Sequence, residues 1–214
     1  MLLNFQSKPY HCTMCFHFNT NITQQKKDNP DFDFSGVQSQ NQVYFNGFTF
    51  PECMIVNNLK TKKVETFKWG LIPHWSKDDK IQKYTLNARI ETLHKKPSFR
   101  NYVNQRCLVL ANSFFEWQWS DPKGKKKQKY EIGFSGEQSF YLGGIWSEWA
   151  DRETGEVINT FSIVTTKANE LMSKIHNTKE RMPIVLDRSS MESWMSDPID
   201  KIQTANEKLV ANKA

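Results

Sequence analysis

The feature that most constrains the fold is a series of short β-prone runs without a regular alternation of strands and helices. "RCLVLA" at 106–111 is typical of a buried strand, and "KKVETFKWGLI" alternates in polarity before a turn at Pro73. Further strands are predicted in "VYFNGF", "CMIV", "NTFSIVTT" and "RMPIVL". This pattern predicts an α+β fold, in which one sheet-dominated domain of mostly antiparallel strands curves around a core with a few peripheral helices.

The remaining segments give more local predictions. "KQKYEIGF" and "SFYLGGIW", separated by "SGEQ", are predicted to pair as a hairpin. Helices are predicted in "KANELMSKI", in "DRSSMESWM" with Asp187 or Ser189 near its cap, and in the C-terminal "IDKIQTANEKLVANK". The polar residues 20–42 are expected to be irregular or to form a short helix.

Composition indicates a globular chain and suggests its partners. Of the 214 residues, 38% are hydrophobic and 13% aromatic, which is enough to form a core. The net charge of +6 favours acidic partners, nucleic acid first, although an excess of lysine also keeps many ordinary proteins soluble. No run of 18 apolar residues is present and the N-terminus does not resemble a signal peptide, so we expect a cytoplasmic protein with no membrane partner and reduced cysteines.

The stretch "HCTMCFHFN" at 11–19 has ligand types that suit a metal or redox site. A closed zinc site needs four ligands, and Cys53 and Cys107 are single and distant in sequence. A thioredoxin-like motif needs a βαβ context, which is not evident around Cys12 and Cys15. We therefore expect neither a metal nor another cofactor. The Lys-rich "DPKGKKKQK" at 121–129 is either a solvated turn or a loop that contacts phosphate.

Three polar residues stand in otherwise apolar or aromatic surroundings. Asn87 lies in "NARIET", Glu116 in "FFEW" and His176 in "KIHNTKERMPIVL". Burial among aromatic rings would raise the pKa of Glu116 toward the range useful for proton transfer, and a histidine shuttles protons near neutral pH. Each residue also has a purely structural interpretation: Asn87 capping a turn, Glu116 paired with Arg89 or Arg106, and His176 ending a helix.

Taken together, these motifs resemble one known family. The series "KWGLIPHW", "LNARIET", "FR", "RCLVLANSFFEW", "GGIW", "FSIVTTKAN" and "IHNTKERMPIVL", between about residues 43 and 195, is similar to the SRAP family. Its members are SOS-response-associated peptidase-like proteins, also called abasic-site processing proteins. They begin with Met-Cys, and the cysteine attacks abasic sites in single-stranded DNA once the methionine has been removed.

The resemblance implies a role for each matching residue. The catalytic set would be the nucleophile, an orienting amide, a general acid–base and a residue that assists proton transfer: Cys15, Asn87, Glu116 and His176. The residues expected to contact DNA are Trp69, Trp75, Arg89, Arg100, Thr165 and Arg181. Arg106 is a further candidate for a phosphate contact. The predicted partner is single-stranded DNA containing an abasic site, and we expect the protein to act as a monomer.

The Met-Cys pair here is Met14–Cys15, which 13 residues precede. Residues 1–13 are expected to be a non-native or removable leader, and 14–214 a single SRAP-like domain. An internal cysteine has no free α-amine, so the thiazolidine crosslink that the resemblance implies needs Cys15 at the N-terminus. Lyase activity at abasic sites and cleavage of the protein's own leader are secondary expectations. The alternatives are a non-catalytic module that binds single-stranded DNA and a cysteine or N-terminal-nucleophile peptidase.

Overall fold

The computed structural model describes residues 16–37 and 43–214. In this part of the chain the helices are α1 (Ile22–Asp28), α2 (Glu170–Ile175) and α3 (Met191–Ser196). The strands are β1 (His17–Thr20), β2 (Val43–Asn46), β3 (Glu52–Asn57), β4 (Glu65–Trp69), β5 (Asn87–Arg89), β6 (Arg106–Ala111), β7 (Ser113–Trp119), β8 (Lys127–Phe134), β9 (Phe140–Ala150), β10 (Val157–Lys167), β11 (Arg181–Pro183), β12 (Val185–Leu186) and β13 (Leu209–Lys213).

Five strands close on themselves into a barrel. The order is β10-β4-β3-β6-β9, and β9 pairs back with β10. All of these pairs are antiparallel except β10 with β4. Phe67 on β4 and Trp146 on β9 are not on neighbouring strands, yet their ring centroids lie 5.5 Å apart, so side chains fill the inside of the barrel. The α+β, sheet-dominated prediction is therefore confirmed.

A second, antiparallel sheet packs on the barrel. Its strand order is β13-β8-β7-β1-β2. Phe18 on β1 is fully buried and lies 5.3 Å from the ring of Trp69 on the barrel strand β4, while Phe114 on β7 meets Phe140 of β9 at 6.3 Å. Because side chains alternate across a strand, this sheet has an inner face directed at the barrel and an outer face directed away from it.

Two local predictions are wrong. Strands β8 and β9 do not form a hairpin, because β8 pairs with β7 and β13 while β9 pairs with β6, β10 and β12. The C-terminal segment is not a helix: residues 209–213 form β13, which pairs with β8 and buries Leu209 against the core. The buried strand at 106–111, the strand at 159–166 and the helix that follows it are confirmed.

No helix among the described residues is long and apolar enough to cross a membrane.

Candidate functional site

Asn87 and Arg89 owe their placement to a parallel pairing. Strand β5 extends along β10 with Asn87 opposite Ile163 and Arg89 opposite Thr165. Asn87 is only 8% exposed, whereas Arg89 is exposed. Asn87 and Arg89 lie on the same face of β5, which is covered at Asn87 and open to the surface at Arg89.

Glu116 lies on the inner face of β7 and is 4% exposed. Its Oε1 is buried and accepts no hydrogen bond from any described residue. Burial raises the pKa of Glu116 to about 8, against a smaller lowering by the backbone N–H of Trp117. At neutral pH this carboxyl group is mainly protonated and is therefore able to donate a proton.

Arg106 does not neutralise Glu116. It is itself buried, and its guanidinium donates to the backbone carbonyls of Val103, Trp194 and Asp197 at 3.1, 2.8 and 2.6 Å. These contacts tie β6 to the end of α3. The structural interpretation of Glu116 as a partner of Arg106 is thus wrong, and Arg106 has no free face for the phosphate contact that the sequence suggested.

His176 ends helix α2 and is 1% exposed. Its Nδ1 lies 2.8 Å from the carbonyl oxygen of Arg181, and the backbone N–H of Arg181 approaches the same atom at 3.3 Å. The shorter contact, to a carbonyl, requires Nδ1 to carry the proton. In that tautomer Nε2 is the basic nitrogen, so the loop that follows α2 sets which ring nitrogen can accept a proton.

Packing and hydrogen bonds bring these elements together. The chain neighbours of the predicted catalytic residues belong to one hydrophobic cluster: Phe16, Leu86 and Ile175. Strand β7 is also fastened to the end of α2, where Gln118 donates to the carbonyl of Lys174 at 2.8 Å. Asn177 and Trp119 exchange a pair of hydrogen bonds at 3.1 and 2.9 Å. Glu116 and His176 therefore lie on elements that are fixed relative to each other.

A bidentate ion pair joins the "NARIET" segment to β11. Arg181 donates to both carboxylate oxygens of Glu91 at 2.6 and 2.9 Å, and to the carbonyl of Thr165 at 2.8 Å. Thr165 is 1% exposed. Arg181 and Thr165, predicted to contact DNA, are thus engaged with each other and with Glu91.

The other residues predicted to contact DNA divide into buried and exposed ones. Trp69 is 0% exposed, and its indole N–H donates to the carbonyl of Leu86 at 2.8 Å, so its ring belongs to the core. Trp75 is 44% exposed, and Arg89 and Arg100 are exposed as well. The surface positions remain available to a nucleic acid.

Sequence reasoning missed a group of aromatic and basic side chains on the outer face of the second sheet. His17 lies 5.1 Å from Trp117 and its Nδ1 is 2.7 Å from the hydroxyl of Tyr44. The ammonium of Lys129 lies 4.0 Å from the ring centroid of Phe115 and 5.9 Å from that of Trp117. The alternation of "FFEWQW" carried the signal, since residues 115, 117 and 119 share one face while Glu116 faces the other way.

Cys15 and Met14 lie outside the described residues, as does Cys12. Phe16, which directly follows Cys15 in sequence, is described: it is 6% exposed and its carbonyl accepts from the N–H of Gly47 at 2.7 Å. Cys53 and Cys107 are buried free thiols, and burial raises the pKa of both. In the part of the chain that the structure describes, no group of three or more histidine, cysteine or acidic residues is arranged to hold a metal.

Comparison with known proteins identifies the family. The model of the family described as SOS response associated peptidase (SRAP) matches residues 14–214. The chain belongs to this family, as its motifs had indicated.

The individual relatives are similar over most of this chain. The abasic site processing protein YoqW of Bacillus subtilis is 40% identical over 143 residues, which cover 66% of this chain and 61% of YoqW. HMCES of Gallus gallus, also called an abasic site processing protein, is 34% identical over 152 residues, 60% of this chain and 44% of HMCES. The chain thus matches about three-fifths of YoqW and less than half of HMCES.

The fold also occurs in solved structures. A crystal structure of a protein from Bacteroides thetaiotaomicron superposes with a TM-score of 0.75 at 34% identity, covering 93% of this chain and 91% of that one. A Bordetella bronchiseptica protein shares the fold at 19% identity, with a TM-score of 0.73.

Proposed function

We propose that this protein binds single-stranded DNA at abasic sites and forms a covalent crosslink through Cys15 once that residue is N-terminal. Membership of the SRAP family and the names of its relatives support abasic sites as the substrate. The observation that carries the mechanism is the burial of Glu116, which is 4% exposed and whose Oε1 accepts no hydrogen bond from a described residue. This burial raises the pKa of Glu116 to about 8, which favours the protonated form at neutral pH. A buried acid with no cation beside it among the described residues is unusual as a structural element and useful as a proton donor.

The proposed reaction uses both nucleophiles of an N-terminal cysteine. The open-chain abasic sugar presents an aldehyde, to which the α-amine adds to give a carbinolamine. Loss of water then gives an imine. The thiol adds across the C=N bond, with sulfur joining carbon and the proton passing to nitrogen, and closes a thiazolidine ring. Ring closure is favoured because the thiol is already tethered beside the imine carbon.

Each buried polar residue has a step that matches its chemistry. Glu116 protonates the carbinolamine hydroxyl so that it leaves as water. His176 accepts the proton of the anomeric hydroxyl through Nε2. The bond between the anomeric carbon and the ring oxygen then breaks to give the aldehyde, and the ring oxygen takes up a proton to become a hydroxyl. Asn87 orients the amine or the aldehyde by hydrogen bonding and adds no charge to the site.

The described neighbour of Cys15 supports the proposed arrangement. Phe18 pairs with Phe114 and Asn19 with Ser113. If this register of β1 with β7 continues for two more residues, Phe16 lies opposite Glu116. Cys15 directly precedes Phe16 in sequence. We therefore expect an N-terminal Cys15 to lie near Glu116, just before the start of β1.

Exposed and half-buried cations and rings supply a surface for the DNA. Arg89, Arg100 and Lys129 offer contacts to phosphates, and Trp75 and Trp117 offer rings for unpaired bases. Such contacts do not depend on sequence, as expected for a substrate that lacks a base at the reacting position. The same imine also permits strand cleavage by β-elimination, which would appear as a slower lyase activity.

The test uses protein that begins at Met14, with mass spectrometry to verify removal of the methionine, and a single-stranded oligonucleotide carrying one abasic site. We expect an adduct that survives denaturing electrophoresis. The Cys15→Ser variant keeps the α-amine but lacks the thiol, so its adduct should need borohydride reduction to survive. Cys53→Ala, which removes a buried thiol, serves as the matched control and should crosslink normally.

Two results would overturn the proposal. One is an adduct that forms undiminished in Cys15→Ser without reduction, because the thiol would then have no part in it. The other is a processed, folded protein that binds the oligonucleotide and forms no adduct, which would favour a non-catalytic DNA-binding module.

A further inference from the structure

The hairpin formed by β7 and β8 carries lysines and tryptophans in register on its outer face. Trp117 lies directly opposite Lys129, and Trp119 directly opposite Lys127. The ammonium of Lys127 is 4.8 Å from the ring centroid of Trp119. The face thus alternates cations with aromatic rings, starting one residue beyond Glu116 and continuing to the turn.

The turn that joins the two strands, the lysine tip (residues 121–126), has a defined structure. The side chain of Asp121 accepts from the backbone N–H groups of Lys123 and Lys126 at 2.9 and 2.5 Å. Gly124 has a positive φ of 63° and lies against Trp119, where a Cβ atom would come within 2.5 Å of the ring. Only glycine fits both requirements, so the ring of Trp119 supports the turn from below.

The lysines of this hairpin outnumber its acidic residues, so the hairpin carries a net positive charge. Lys123, Lys125, Lys126 and Lys127 are exposed. None of them, nor Lys129, forms an ion pair with another described residue. Asp121, the acidic residue of the turn, is already occupied by backbone N–H groups, which lower its pKa.

The hairpin is anchored to the candidate site. The paired hydrogen bonds between Asn177 and Trp119 hold its outer end against the loop that follows His176. A cleft of about 600 Å³ lies between that loop and the turn, lined by Trp119, Pro122 and Lys179 among others. Ser120 lies four positions beyond Glu116 along the chain, a distance of roughly 14 Å at the usual rise per residue.

Resting on the proposed function, we propose that the outer face of this hairpin and the lysine tip bind the sugar-phosphate backbone of the DNA strand on one side of the abasic position. The tip is too far from Glu116 to take part in the chemistry and is fixed rigidly relative to it. The lysines contact phosphates of the flanking nucleotides, and Trp117 receives an unpaired base nearer the site. The hairpin lies to one side of the site, so it serves either the 5′ or the 3′ flank.

A second lysine-rich turn provides the matched comparison. Lys60, Lys62 and Lys63 occupy the β3–β4 turn, at the end of these strands that lies away from β5 and Asn87. There Lys60 pairs with Glu65 at 2.9 Å. Substituting this turn removes the same number of charges without touching the hairpin.

The experiment measures binding of the full chain to oligonucleotides that carry a non-reactive tetrahydrofuran analogue of the abasic site. In one oligonucleotide most nucleotides lie on the 5′ side of the analogue, and in the other most lie on its 3′ side. The triple variant Lys123→Gln, Lys125→Gln, Lys126→Gln should bind one of them roughly 10- to 100-fold more weakly at 0.1 M salt. The slope of the logarithm of the binding constant against the logarithm of the salt concentration should decrease in magnitude by about 2, since each of the three phosphate contacts to a single strand contributes about 0.7.

The controls distinguish failure of the hairpin proposal from failure of the proposed function. The Lys60→Gln, Lys62→Gln, Lys63→Gln variant should bind both oligonucleotides nearly as the wild type does, and replacing the three tip lysines with arginine should preserve affinity. If the triple tip variant bound both oligonucleotides equally weakly, or bound both as tightly as the wild type, the hairpin proposal would be overturned and the proposed function would remain intact. Failure of the wild-type chain to bind either oligonucleotide would contradict both.

Discussion

Two glutamates in this protein sit in opposite electrostatic environments. Glu91, in the "NARIET" segment, receives both arms of the Arg181 guanidinium. Burial alone would raise the pKa of Glu91, but the hydrogen bonds and charge of Arg181 outweigh it and lower the pKa overall. Glu116 is buried on the inner face of β7 with no cation among its described contacts, and its pKa rises to about 8.

The difference shows how one fold provides both a fixed charge and a neutral acid. A carboxylate that meets an arginine remains ionised and fixes two strands to each other. A carboxyl group that is buried without a cation beside it retains its proton at neutral pH and is available to donate it. The neighbour of each glutamate, and not its residue type, decides its role.

The largest expected effect is on catalysis at Glu116. In protein that begins at Cys15, Glu116→Gln should lower the rate of adduct formation by about 10²–10⁴-fold, because an amide cannot protonate the departing hydroxyl. Single-turnover gel assays would measure this rate. Glu91→Gln is the matched control and should change the rate little; if it slowed the reaction as much as Glu116→Gln, the distinction between the two glutamates would fail.

The next effect is on stability. A carboxyl pKa raised from 4.5 to about 8 makes the folded state bind more protons than the unfolded state between these pH values. The free energy of unfolding therefore falls as the pH rises through this range, by about 1.4 kcal/mol for each pH unit. Glu116→Gln should be more stable than the wild type near pH 8 by several kcal/mol.

Urea unfolding between pH 4.5 and 8.5 would measure this difference. The gain in stability should shrink steadily as the pH is lowered and nearly vanish at pH 4.5. A gain that stayed constant across the range would mean that the variant acts through packing and not through the proton.

A smaller effect is expected where Arg181 meets Glu91. Arg181→Met removes the bidentate pair and the contact with the carbonyl of Thr165, and should lower the free energy of unfolding by about 1–3 kcal/mol. Arg181→Lys should recover only part of the loss, because an ammonium group lacks the planar fork. Equal stability of both variants and the wild type would show that this pair does not fix β11 to the "NARIET" segment.

The smallest effect is expected for Glu91→Gln, with a pH dependence opposite to that of Glu116→Gln. Glu91 has a lowered pKa, so it contributes stability above its unfolded pKa and loses that contribution as the pH falls through its folded value. Because the pair is partly exposed, the loss should stay below about 1 kcal/mol at pH 7 and decrease on acidification. A loss that grew as the pH was lowered would contradict this assignment.

The sequence predicted most strands, because local alternation and apolar runs determine them. It did not predict how they pair. "SGEQ" between two β-prone runs resembles a hairpin loop, yet β8 pairs with the preceding strand β7 and with β13, which is far away in sequence, and not with β9. The polar "IDKIQTANEKLVANK" resembles a helix, but Leu209 and Ala211 alternate inward once β8 offers an edge to pair with.

The candidate site shows the same limit. The motifs identified Asn87, Glu116 and His176, which the structure buries beside one shared core. They could not show that Trp69 fills that core while Trp75 stays exposed, since both belong to "WGLIPHW". The motifs also could not show whether Glu116 pairs with an arginine. In the structure Arg106 donates instead to the carbonyls of Trp194 and Asp197, which are far from Arg106 in sequence.

The most direct test of the account is the titration of the Glu116 carboxyl group in the folded protein. Carbon-13 NMR of protein labelled at the glutamate side-chain carboxyl, with Glu116→Gln to assign the signal, would follow its protonation between pH 3 and 9. We predict a signal that remains protonated at pH 7 and titrates near a pKa of about 8. A signal that titrates near the ordinary glutamate pKa of 4.5 would mean that Glu116 is an ordinary carboxylate, and the proposed acid would have to be another residue.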